Sequence, residues 1–163
     1  MTTQLTLTDK RTYLYASLFT LGNILVPQLC HLIPQGGLIL LPIYFFTLIA
    51  AYRFGLFTGM LTAICSPLVN HLFFGMPPLA ALPILLIKSS LLAIFAALIA
   101  KRVGKATLGA LVLTVLAYQF AGACFEWPMT GSLMHALQDI RLGYPGILVQ
   151  IFGGYLLLRR LES

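Results

Sequence analysis

Lys88 stands in the apolar stretch "PILLIKSSLLAIF" (83–95). An ammonium group there either snorkels to water or is held at depth to meet a ligand. Its helical neighbours Ile84, Leu85, Leu91 and Leu92 provide no partner three or four residues away. A lysine at the centre of a bilayer costs about 2.5–3.5 kcal/mol to insert, so one that is held there implies a use. The amides Asn23, Gln119 and Gln150 fall at comparable depth in other apolar runs. His31, Asn70, Glu126 and Trp127 lie nearer the face those runs share. The pattern predicts a cavity that opens outward, has a polar floor and takes a small anionic or carbonyl-bearing molecule. His31, His71 and His135 are scattered at run ends with no HxxxH or HExxH, and there is no P-loop, GxSxG or aspartate pair. No catalytic residue and no metal ligand is assigned. Two alternatives stay open: a small intramembrane enzyme using those histidines, and a stand-alone carrier.

The elements that must position these residues are membrane spans. Of 163 residues, 60% are hydrophobic and 9% charged. Soluble domains carry about 25% charged residues, and one core of this size could not hide so much apolar surface. The reading is an all-α integral membrane protein, one domain over 1–163, folded as a compact bundle of six transmembrane helices. The spans are expected at about 12–32, 38–52, 54–74, 79–101, 107–126 and 147–158. The second and sixth fall short of the roughly 20 residues a crossing needs. The N-terminus lacks the pattern of a cleaved signal peptide.

Eight basic residues fall on one side of this arrangement: Lys10, Arg11, Arg53, Lys101, Arg102, Lys105, Arg159 and Arg160. The other side has Arg141. The positive-inside bias places both termini in the cytoplasm. The formal net charge of +6 therefore reports topology and does not call for nucleic acid. Gly55, Gly59 and Ala63, four residues apart, mark a helix face for close packing. The three cysteines read as buried small hydrophobes.

The third-span segment "RFGLFTGMLTAICSPLVNHLFFGMPP", the Gly- and Pro-rich outward loops and six spans in this length resemble the substrate-binding S component of energy-coupling factor (ECF) vitamin transporters. The segment "NILVPQLCHLIPQGGLILLPIYFFTLIAAYRFG" is similar to the start of bacterial members. The resemblance implies high-affinity capture of a vitamin-like micronutrient at the bacterial inner membrane. It implies no cofactor in this chain, because a coupling transmembrane subunit and two cytoplasmic ATPases supply the work. It also implies a small-residue face on the first helix for the coupling subunit, where this chain has Ala16 and Thr20 in "ASLFT". The metal-importing branch has a histidine after the initiator Met. This chain begins "MTTQ", which points away from metal substrates.

Overall fold

A computed structural model describes residues 4–30, 32 and 34–162. Among them there is no strand. The helices are α1 (Lys10–Cys30), α2 (Gly36–Leu40), α3 (Pro42–Phe54), α4 (Leu56–Phe74), α5 (Leu82–Val103) and α6 (Leu108–Thr130). The turns α7 (Leu133–Ala136) and α8 (Gln138–Arg141) lead to α9 (Tyr144–Leu148). A π-helical segment (Val149–Gly153) and α10 (Gly154–Glu162) complete the chain. Five segments are long and apolar enough to cross a membrane: α1, α2 with α3, α4, α5 and α6. The chain is thus a multi-pass helical membrane protein.

The expected second span is longer than its apolar run. Gly36–Leu40 forms helix where "IPQGG" reads as loop, and Leu41 breaks the run at φ 47°. A proline disfavours helical backbone in the residue before it, and Pro42 follows Leu41. The last helical run is longer too, from Tyr144 to Glu162, and widens into the π segment midway. It packs against α2, α3 and α6 and is not among the five membrane-length segments.

The two ends of the bundle are built differently. At the end carrying the termini, Leu5 N donates to Phe54 O (3.1 Å) and Tyr52 OH to Lys105 O (3.0 Å). Arg53 donates to Leu161 O, and the Glu162 carboxylate accepts from Ala106 N at 3.0 Å. Helices pack there on Ala50, Ala51, Ala93, Ala96 and Ala100, all fully buried. A Cβ on Gly59 would collide with Ala51, so α3 and α4 approach closely only because residue 59 has no side chain.

At the opposite end α4 and α6 stop at Gly75 and Gly131, both left-handed, and α5 starts with Pro83 in its first turn. Lys88 therefore lies six residues inside α5, about 9 Å from its start at 1.5 Å per residue. The expected span begins at 79, whereas 79–81 precede the helix, so Lys88 lies three residues nearer the helix start than that span implies.

Candidate functional site

Lys88 is 2% exposed, and its partners come from other elements. Its Nζ lies 2.5 Å from Glu126 Oε2 on α6 and donates to Asp139 Oδ2 on α8 at 2.7 Å. Gly122, one turn before Glu126, makes this possible. A Cβ there would come within 2.7 Å of Lys88 Cγ, so the lysine stem lies across the glycine. The ammonium is thus desolvated and doubly paired, which is the condition for keeping a charge at this depth. The sequence leads one to expect an anionic or carbonyl-bearing ligand at Lys88; in the structure its ammonium is paired within the chain by Glu126 and Asp139.

The triad forms the floor of a cavity of about 540 Å³. Leu38, Leu41, Ile43, Pro77, Ile84 and Leu85 supply apolar wall. Gln35, Asn70 and Gln138 add polar atoms, and Tyr44 lines the same space. A site of this volume, mostly apolar with a few convergent polar groups, is the form small-molecule sites take. Gln35 and Leu41, both at the wall, are the non-glycine residues with left-handed backbone among the described residues. Such strain collects at binding sites because the surrounding structure holds it in place.

Lys88, Glu126 and Asn70, named from the sequence, share this cavity. Asn23, Gln119 and Gln150 do not line it, although all three are buried. Asn23 Nδ2 donates to Thr47 Oγ1 (3.0 Å) and Ser66 Oγ (3.1 Å), and its Oδ1 accepts from Phe46 N (3.2 Å). With both ends of its amide engaged, Asn23 fastens α1 to α3 and α4. Asn70 Nδ2 extends that seam by donating to Asn23 O at 2.9 Å. Gln119 Nε2 donates to Tyr118 OH at 3.1 Å, and Tyr118 OH donates to Gln150 Oε1 at 2.9 Å. The expected single polar layer is therefore two separate structural networks plus the Lys88 triad. Equal depth along helices leaves the direction around each helix undetermined.

Trp127 is 53% exposed and outside the cavity, because it points away from the α6 face that carries Gly122 and Glu126. His31 lies outside the described residues. His71 Nδ1 bonds Pro77 O at 2.8 Å, and His135 borders a separate shallow depression with Arg141. Among the described residues no group of three His, Cys, Asp or Glu could hold a metal. Ala16 and Thr20 are buried inside this chain, at 5% and 8% exposure, and do not form a free face. The exposed side of α1 carries Leu14, Leu18, Leu21, Leu25 and Leu29.

Asp139 and Gly122 were missed as site residues. Asp139 had a signal. The chain has four acids, two of them near its ends (Asp9 and Glu162), so a buried lysine had two candidates left.

No protein-family model matches the sequence, and no curated protein or solved structure is significantly similar to it.

Proposed function

We propose that the chain is the substrate-binding membrane subunit of an ECF-type importer for a vitamin-like micronutrient. In this reading it works in a bacterial inner membrane with six spans and both termini in the cytoplasm. It has no cofactor or catalytic site of its own. A coupling transmembrane subunit and two ATPases supply the work. One observation carries the reading: an apolar cavity with a charged floor at one end of a bundle whose other end is closed by alanine packing. That asymmetry suits capture from one side and release only after the protein is moved or opened by a partner. The side of the cavity opposite the basic residues agrees with outward capture. The coupling contact shifts from the buried Ala16 and Thr20 to the exposed leucine face of α1. The enzymatic alternative has less support, since His71 is engaged by Pro77 and His135 lies elsewhere.

Affinity purification of the tagged chain from its native membrane tests this. The expected result is a retained small molecule, seen by mass spectrometry after denaturation, together with a co-purifying membrane subunit and ATPases. Uptake by the chain alone in proteoliposomes, without ATP or partners, would overturn it.

A further inference from the structure

Neutralising one buried lysine takes one carboxylate, and this cavity floor has two. In formal charges Lys88 is +1 and Glu126 and Asp139 are −1 each, a formal surplus of one carboxylate charge. Arg141, two residues from Asp139, does not supply the balance. Its Nη1 contacts Met134 Sδ at 3.8 Å in the separate depression. Among the described residues no other cation lines the cavity.

The leftover charge faces the cavity. Lys88 is 2% exposed, whereas the Glu126 and Asp139 side chains are each 13% exposed, and both border the space. Each meets the ammonium through one oxygen, Oε2 or Oδ2. The second oxygen of each has no described partner. Tyr44 provides an independent sign. It is 2% exposed, it lines the cavity, and its ring packs on Tyr118 with centroids 5.5 Å apart. Its hydroxyl has no described hydrogen-bond partner and is not among the fully buried polar atoms, so it remains available within that space.

From these observations we infer that the ligand carries one positively charged nitrogen group, seated on the free oxygens of Glu126 and Asp139, with an apolar or aromatic body against the cavity wall. Lys88 then serves to hold the two carboxylates together and leaves their outer oxygens facing the space. A planar cation such as an amidinium fits this arrangement best, because it donates two hydrogen bonds to a carboxylate. Desolvated walls strengthen such a pair relative to water. An anionic ligand would have to approach the surplus negative charge or displace a carboxylate from Lys88. This inference rests on the binding-subunit reading and names the charge class of its ligand.

Benzamidine, benzamide and benzoate are near-isosteric and differ in charge, so they probe the floor directly. Their binding to the purified full-length chain in nanodiscs is measured by titration, alongside the melting temperature. Benzamidine is expected to bind at least about tenfold tighter than benzoate, equivalent to 1.4 kcal/mol, with benzamide between them. Asp139→Asn and Glu126→Gln should each remove that preference. Both variants should keep or raise the melting temperature, because one carboxylate still balances Lys88. Benzoate binding as tightly as benzamidine overturns the inference, as does the absence of any probe binding. A preference that survives both substitutions overturns it as well. The molecule retained on purification separates the two readings. If it is anionic, the cationic-ligand inference falls and the binding subunit stands. If nothing is retained and no probe binds, both fall.

Discussion

The two ends of this bundle share the same helices and differ in what those helices carry. All nine prolines lie in the cavity half: Pro27, Pro34, Pro42, Pro67, Pro77, Pro78, Pro83, Pro128 and Pro145. The terminal half has none and packs instead on fully buried alanines. Pro27, Pro67 and Pro128 stand inside helices, where each removes a backbone donor, while the others sit at helix starts or in connections. Alanines and Gly59 allow helix backbones to meet. One end holds a cavity over a charged floor while the other is packed closed. An opening in a membrane bundle is here written as a distribution of residue types along each helix, with no separate domain to form it.

The comparison breaks first at the triad. Replacing both Glu126 and Asp139 by Ala strands a buried ammonium and is expected to cost about 3–5 kcal/mol, read by unfolding in detergent. Adding Lys88→Met to that double variant should recover most of the loss, because no charge remains to be buried. If the double variant is as stable as wild type, Lys88 reaches water and the floor is not desolvated.

At the closed end, Gly59→Leu forces a side chain into Ala51 and is expected to cost about 1–3 kcal/mol by overpacking. Ligand affinity of the fraction that folds should be unchanged, because residue 59 is remote from the cavity. A loss of affinity that exceeds the loss of folded protein would show that the two ends are coupled.

Asn23→Leu sharpens the line between scaffold and site. It removes hydrogen bonds to Thr47, Ser66 and Phe46 and is expected to cost about 1–3 kcal/mol of stability. The cavity charge is untouched, so benzamidine affinity should stay within about twofold, roughly 0.4 kcal/mol. Trp127→Phe, at an exposed position, is expected to change stability by less than about 0.5 kcal/mol in the same unfolding assay.

Much of the bundle was legible because apolar runs and basic clusters report helices and turns. The second and last helical runs were shortened because Gly36, Gly37 and Gly143 read as loop, whereas tertiary packing carries helix into or close to these positions. Gly143 shows the effect, since a Cβ there would meet Leu41 side-chain atoms, Cγ at 2.9 Å. In the site, Lys88 and Glu126 were legible because a charge in or beside an apolar run singles them out, whereas Asn70 was reached by the same depth reasoning as the other amides. For Asn23, Gln119 and Gln150 that reasoning failed, because a residue number fixes height on a helix but not the neighbour it faces. Asp139 came from the segment between α6 and α9, whose path over the bundle no local pattern encodes. Because both carboxylates converge on Lys88, Lys88→Met alone leaves like charges together and should be destabilised.

The most direct test of the open-end, closed-end account is cysteine accessibility in intact cells. Cys30, Cys65 and Cys124 are first replaced by Ala or Ser, and single cysteines are then placed at Leu85, on the cavity wall, and at Ala96, in the closed half. A membrane-impermeant maleimide added outside is predicted to label Leu85→Cys and to leave Ala96→Cys unmodified. Saturating benzamidine should slow the first reaction. Equal labelling of both positions, or labelling of Leu85→Cys only from the cytoplasmic side of inverted vesicles, would contradict the account.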